Sequence, residues 1–240
     1  MTRAEDIARN LAGVRARISD ATARAGRPAG AVRLVAVSKK MPPEDVAAAL
    51  AAGQLDFGEN YAQELRDKRQ ALAATAPSPG APRWHYLGPL QTNKVKYLAG
   101  LVELIHSVSD ADVLAEIDRR ATGAGAPQAC LVQVNIAGEA QKQGVTPEAL
   151  PALLDAFARA AHTTCRGLML IPPVEPSPAD TRRHFAALRA LAEREARVAR
   201  AGVALTELSM GMSSDYEAAI AEGATLVRVG TAIFGERQRG

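Results

Sequence analysis

Two segments at opposite ends of the chain carry residues suited to chemistry. Leu34-Val35-Ala36-Val37-Ser38-Lys39 ends an apolar run on a lysine. Leu226-Val227-Arg228-Val229-Gly230-Thr231 ends another on a Gly-Thr corner, which opens a helix through Ala232-Ile233-Phe234. A lysine amine forms a Schiff base with an aldehyde, and it is nucleophilic as the free base when its surroundings lower its pKa. A Gly-Thr corner at a helix start offers unpaired backbone N–H groups and the positive helix end to a phosphate. Together they suit a ligand carrying both an aldehyde and a phosphate, which describes pyridoxal phosphate (PLP).

Other residues extend that reading. Ser209-Met210-Gly211-Met212-Ser213-Ser214 makes a second strand-to-helix corner. Ser209, Ser213 and Thr231 offer hydroxyls, and the Gly230 and Thr231 backbone offers N–H donors, to one anion. Ordinary helix capping by Ser213 or Ser214 is the alternative. Arg228 sits between Val227 and Val229. If the valines face outer helices, Arg228 points inward, where a buried cation needs a partner, a carboxylate being the simplest. His85 and His106 could pair at a metal, but no Cys or carboxylate at recognisable spacing completes a ligand set, so no metal site is expected. Cys130 and Cys165 begin strands and read as buried structural thiols. No G-x-S-x-G elbow, Walker A loop or H-E-x-x-H is present.

Positioning these residues takes a regular framework. Short apolar runs bounded by Gly, Pro, Asn or Ser predict strands at Val32–Ser38, Leu55–Gly58, Trp84–Gly88, Leu104–Val108, Cys130–Ile136, Gly167–Ile171, Leu205–Met210 and Leu226–Gly230. Alanine-rich helical patterns lie between them: Glu44–Ala52, Glu64–Ala74, Ala111–Ala121, Pro147–Ala161, Ala179–Ala201 and Ser214–Ala221. Ile7, Leu11, Val14 and Ile18 form one stripe on an extra N-terminal helix over Arg3–Ala25. Eight β/α units in 240 residues predict a single-domain (β/α)8 barrel over 1–240. An open doubly wound sheet is the rival, but the first strand lacks its Gly-rich turn. The barrel puts Lys39 and both corners at the C-terminal mouth. The proline-rich loop Ile171–Pro178 falls on that same face and could wall the ligand, or be a stiff connection. The loop Ala76–Pro82 falls on the other face as a linker.

Bulk properties narrow the function classes. The 29 basic and 26 acidic residues leave a net charge of +3, and 4% of residues are aromatic, so a nucleic-acid surface is not expected. Two cysteines do not make a disulfide framework, and no run is long enough to span a membrane or serve as a secretory signal. A cytoplasmic protein is expected, without membrane association.

The ordered motifs resemble the pyridoxal-phosphate homeostasis proteins, the YggS/PROSC family. They are Val37-Ser38-Lys39, Phe57-Gly58-Glu59-Asn60-Tyr61, Trp84-His85-Tyr86-Leu87-Gly88, Leu90-Gln91-Thr92-Asn93-Lys94, Ile105-His106-Ser107-Val108, Val134-Asn135-Ile136, Gly167-Leu168-Met169, Ser209 to Ser213 and Arg228 to Gly235. The resemblance implies a TIM barrel of the alanine racemase N-terminal type (PLP fold type III). It implies PLP bound as a Schiff base to Lys39, with phosphate near Ser209, Ser213, Gly230 and Thr231, Asn60 beside the cofactor and Arg228 at the pyridine nitrogen. Members often read Ser-Lys-Thr-Lys-Pro after the first strand; here Ser38-Lys39-Lys40-Met41-Pro42 lacks the second lysine, so its auxiliary role, such as shuttling cofactor, does not carry over.

The implied function is intracellular PLP (vitamin B6) homeostasis by a monomeric carrier or regulator without catalytic turnover. It would exchange PLP with dependent apoenzymes or B6-metabolising enzymes. A PLP-dependent amino-acid racemase is the alternative. Such enzymes add a C-terminal β domain that supplies a second acid/base, and this chain stops five residues after Gly235. An arginine at the pyridine nitrogen also favours the unprotonated ring, a weaker electron sink. A third reading is a barrel enzyme acting on a sugar phosphate through Lys39.

Overall fold

The computed structural model describes residues 2–73, 80–139, 142–173 and 177–236. Its strands are β1 (Arg33–Val37), β2 (Asp56–Glu59), β3 (Arg83–Tyr86), β4 (Leu104–Val108), β5 (Gln128–Gln133), β6 (Thr163–Met169), β7 (Val203–Ser209) and β8 (Leu226–Val229). Its helices are α1 (Arg3–Arg24), α2 (Pro43–Ala51), α3 (Ala62–Ala73), α4 (Thr92–Val95), α5 (Ala111–Ala121), α6 (Leu150–Arg159), α7 (Pro178–Glu195), α8 (Tyr216–Ala221) and α9 (Thr231–Phe234). The parallel strands close in chain order, with β8 paired back onto β1. That closure realises the (β/α)8 barrel and excludes the open sheet.

Strand alternation sorts the side chains into two layers. Val35, Leu104, Ala129, Leu131, Met169 and Leu226 fill the barrel interior. Val227 and Val229 belong to the outer core, between strands and helices. Arg228 therefore points inward, as the flanking valines predict.

Strands β5, β6 and β7 begin two to four residues earlier than their apolar runs, at Gln128, Thr163 and Val203. The polar starts are satisfied locally. Gln128 Nε2 donates to the Val102 and Ala129 carbonyls, and Thr163 Oγ1 donates to Asp118. Helix α7 ends at Glu195 rather than running to Ala201; beyond it the Arg200 guanidinium folds back to donate to the Glu195 carbonyl. The short α4 has no counterpart in the predicted pattern.

Helix α1 starts on a capping box, Thr2 with Glu5, and buries Ile7, Leu11, Val14 and Ile18. Each contributes about 1.5–3 kcal/mol of burial. Because α9 is one turn long, α1 takes the adjoining place in the outer ring, against α2, α8 and α9. Asn10 Nδ2 donates to the Ile233 carbonyl, and Arg3 reaches the Phe234 carbonyl and Asp45, pinning α1 to the end of the last β/α unit.

Candidate functional site

A cavity of about 380 Å³ opens at the C-terminal mouth, a size typical of small-molecule sites. Lys39, Asn60, Ser213, Arg228, Gly230 and Thr231 line it, with Val37, Leu87, Met169, Ile171 and Met212 supplying apolar wall. Six of the seven predicted ligand residues thus meet in one place. Ser209 does not line the cavity; it lies wholly buried. Of the proline-rich loop, Ile171 to Pro173 adjoin the cavity and its neighbour, whereas residues 174–176 lie outside the described residues. Residues 74–79 of the other loop also lie outside them.

Lys39 follows β1 after one residue, Ser38, and what holds that turn was not apparent in the sequence. The Ser38 N–H donates to the Gly58 carbonyl at 3.0 Å, continuing the ladder by one residue. Behind it, the Lys68 ammonium donates to the Ser38 carbonyl and to Glu59 Oε1, both at 2.7 Å. The Ser38 hydroxyl donates to the same carboxylate oxygen at 2.7 Å. Burial pushes the Glu59 carboxyl up from its ordinary value; Lys68 opposes that shift in part. Lys40 is exposed with a positive φ of 62°, and its N–H donates to Glu64.

Asn60 is placed by a close backbone approach. A Cβ at Gly88 would lie 2.0 Å from the Asn60 carbonyl oxygen, so only glycine lets the end of β3 pass there. At the opposite wall, the Ile233 and Phe234 N–H groups both donate to the Gly230 carbonyl. As the first residues of α9, Thr231 and Ala232 keep N–H groups that no intrahelical acceptor takes. The Ser213 hydroxyl accepts from the Gly230 N–H at 3.3 Å, joining the two corners. Gly211 takes a φ of 93° against Tyr216 and Ala219, which turns the β7 corner tightly.

Arg228 forms the floor. Its Nη1 donates to the Ser209 hydroxyl at 2.7 Å and its Nη2 to the Leu170 carbonyl at 2.9 Å. No carboxylate lies at ion-pair distance from it among the described residues, so the expected acidic partner is replaced by a hydroxyl and a carbonyl. Burial lowers the guanidinium pKa to about 10, opposed by the charge of Asp215. Ser209, expected beside the phosphate, is bonded to Arg228 and His106 beneath the cavity.

His85 and His106 meet, but not around a metal. His85 Nδ1 lies 2.9 Å from His106 Nε2, His85 Nε2 lies 3.0 Å from Asp56 Oδ1, and His106 Nδ1 lies 2.8 Å from Ser209 Oγ. No group of three or more potential ligands gathers among the described residues. Sequence reasoning missed Asp56. The signal was available: Asp56, His85, His106, Ser209 and Arg228 are all polar residues at inward-facing strand positions.

The arrangement presents an amine, a set of anion-binding donors and a buried cationic donor around one cavity. It can hold a small planar anion that also carries a reactive carbonyl.

The comparisons with known proteins agree with that chemistry. The family model for the alanine racemase N-terminal domain matches residues 9–238. The pyridoxal phosphate homeostasis protein of Aquifex aeolicus is 43% identical over 228 residues, covering 95% of this chain and 97% of its own. The structure of PipY from Synechococcus elongatus with PLP bound matches with a TM-score of 0.81 and 36% identity, over 95% of this chain and all of that one. Alanine racemase from Corynebacterium glutamicum shares the fold, with a TM-score of 0.64 and 15% identity, over 98% of this chain but 62% of the racemase.

Proposed function

Since the chain belongs to the pyridoxal phosphate homeostasis proteins, a family built on the alanine racemase N-terminal barrel, we propose that it holds PLP reversibly and delivers or buffers it in the cytoplasm, without amino-acid turnover. The observation that carries this reading is one cavity walled by Lys39, the Ser213–Gly230–Thr231 corner and Arg228. The residues fit the group: an amine for its aldehyde, free N–H donors and hydroxyls for its phosphate, and a donor-only guanidinium for its ring nitrogen. When bound, PLP supplies an aldehyde that condenses with an amine and a ring that withdraws electrons.

Each residue has a distinct task. Lys39, half-buried at the mouth, is the covalent anchor. Thr231, Ala232 and Ser213 orient the phosphate. Asn60 borders the ring, and Arg228 donates to its nitrogen from below. That donor favours an unprotonated ring nitrogen, which weakens the electron sink that carbanion chemistry needs. PLP-dependent apoenzymes or B6-metabolising enzymes are the exchange partners in this reading, and the working form is a monomer.

The test starts from the visible spectrum of the purified protein after PLP addition. A band that borohydride converts into a fixed adduct on Lys39, and that Lys39→Ala abolishes, supports the anchor; a band unchanged in Lys39→Ala refutes it. Absence of any band returns the sugar-phosphate reading. Incubation of the loaded protein with L-amino acids in deuterated water then reports turnover. An α-proton exchange rate within the ~1–1000 per second range of enzymes would restore the racemase.

A further inference from the structure

The polar side chains inside the barrel line up from the mouth to the opposite end. Arg228 contacts Ser209 at 2.7 Å, Ser209 contacts His106 at 2.8 Å, His106 contacts His85 at 2.9 Å and His85 contacts Asp56 at 3.0 Å. Arg83, partly exposed at the far end, forks onto both Asp56 oxygens. His85, His106 and Ser209 are fully enclosed and surrounded by apolar interior, so no bulk water intervenes.

We propose that Asp56, His85, His106 and Ser209 form a one-way hydrogen-bond relay that positions Arg228 as a fixed donor toward the cavity. The two ends set the direction. A guanidinium has only donors, and an ionised carboxylate has only acceptors. Asp56 is held ionised: burial alone would raise its carboxyl, but the bonds from His85 and Arg83 bring it down to about 2. Its Oδ1 therefore accepts from His85 Nε2–H. Neutral His85 then has a bare Nδ1, which accepts from His106 Nε2–H. Desolvation holds His106 well below its ordinary value, with the charges of Arg228 and Arg33 adding to the effect, so His106 is neutral too. Its bare Nδ1 accepts the Ser209 hydroxyl proton, and the Ser209 oxygen is left to accept from Arg228.

The competing arrangement puts a positive charge on His85. It would then donate both ways, and His106 would turn its Nδ1–H onto Ser209. That places a second cation against a carboxylate whose charge Arg83 already matches, within an enclosed interior. The neutral relay avoids it.

The consequence for PLP rests on the function proposed above. Ser209 and Leu170 take one N–H each, and the remaining guanidinium donors have no acceptor in the relay to turn toward. The floor can thus receive only an acceptor, which selects the unprotonated ring nitrogen. Asp56, at the other end of the barrel, sets a property of the ligand through four intervening side chains, His85, His106, Ser209 and Arg228.

The experiment reads histidine tautomers by long-range 1H–15N correlation in the full-length protein, without and with PLP. The chain has four histidines, and His85→Gln and His106→Gln assign the two signals. Both are expected as neutral rings protonated at Nε2. An imidazolium at His85, or a protonated Nδ1 at His106, overturns the relay. In Asp56→Leu the acceptor is lost and His106 is expected to become a mixture of tautomers; an unchanged His106 signal in a variant with the native amide spectrum also overturns it. Ser209→Ala is expected to weaken PLP binding roughly tenfold, as befits losing one bond to a charged group, and unchanged affinity counts against the relay. The tautomers in the PLP-free protein test the relay alone, whereas failure of the unaltered protein to bind PLP refutes only the functional reading.

Discussion

Replacing Lys68 by methionine should destabilise the protein in a pH-dependent way. Lys68 and Glu59 are 5% and 0% exposed, and they meet at 2.7 Å behind the turn that carries Lys39. Among the described residues Glu59 Oε2 has no hydrogen-bond partner, so the carboxylate leans on Lys68 and Ser38 through its other oxygen. Methionine keeps the volume and removes the charge. A buried carboxylate left unpaired costs about 3–5 kcal/mol, unless it takes up a proton instead. Proton uptake sets the ceiling. Holding a carboxyl of ordinary value 4.5 protonated at pH 7 costs about 3 kcal/mol at about 1.4 kcal/mol per pH unit. Near pH 5 the same cost falls below about 1 kcal/mol. The sign follows from linkage: the folded carboxyl titrates above the unfolded one, so the penalty is full at high pH and fades as pH falls toward the unfolded value. Urea unfolding at pH 7 and pH 5 measures both losses, and Lys68→Met combined with Glu59→Gln should recover most of the deficit at pH 7. A loss below about 0.5 kcal/mol at pH 7, or one of equal size at both pH values, would refute the buried ion pair as the support of this turn.

Three further outcomes are expected. Thr231→Val keeps the shape of the α9 corner and removes a hydroxyl worth about 1–3 kcal/mol if its bond is charge-assisted, so PLP affinity should fall about five- to a hundredfold by titration; unchanged affinity would exclude the hydroxyl. Gly88→Ala puts a methyl 2.0 Å from the Asn60 carbonyl oxygen, and should cost about 1–3 kcal/mol in urea unfolding while weakening PLP; a variant native in both would show that Asn60 is not held by this approach. The Cys130 and Cys165 thiols are fully buried register partners on β5 and β6, and burial pushes Cys130 well up and Cys165 up to about 12. A thiol reagent should modify neither until the protein unfolds, and rapid labelling of the native state would contradict their enclosure.

Much of this architecture was legible because β/α alternation is written locally. The stripe Ile7, Leu11, Val14, Ile18 predicts α1 and its buried face, and the valines around Arg228 predict its inward turn, since each follows from one element's own period. Lys39, Ser213, Gly230 and Thr231 were accessible for a related reason: all sit at strand ends on one face of a barrel, whereas Asn60 came from the family resemblance alone. What was hidden depends on which strands become neighbours and at what depth. Asp56 and His85 touch because β2 and β3 pair with Gly58 opposite His85. Ser209 lies buried beneath the Ser213–Gly230–Thr231 corner, a depth that alternation alone does not give. The Glu59–Lys68 pair joins the outer face of β2 to α3, a contact set by packing rather than by any motif. Strand starts such as Gln128 and Thr163 were missed because their polar groups bond to neighbouring backbone and side chains that only closure of the barrel provides.

Depth also separates the two jobs that a reversible holder must do. The groups proposed to bind the aldehyde and the phosphate, Lys39, Ser213, Gly230 and Thr231, are half-buried or exposed at the rim. Their bonds to ligand form in competition with water and can be exchanged for water again. Arg228, Ser209 and His106 lie beneath them, shielded and joined to one another. A buried network with every member satisfied resists rearrangement, because each broken bond would strand a polar group. In the proposed function the fixed floor would select orientation and ring protonation, and the wet rim would allow capture and release. A racemase has a further requirement: two opposed proton-transfer groups in a site closed away from water. In this chain the open rim works against such closure, which supports the proposed reversible holder over a racemase.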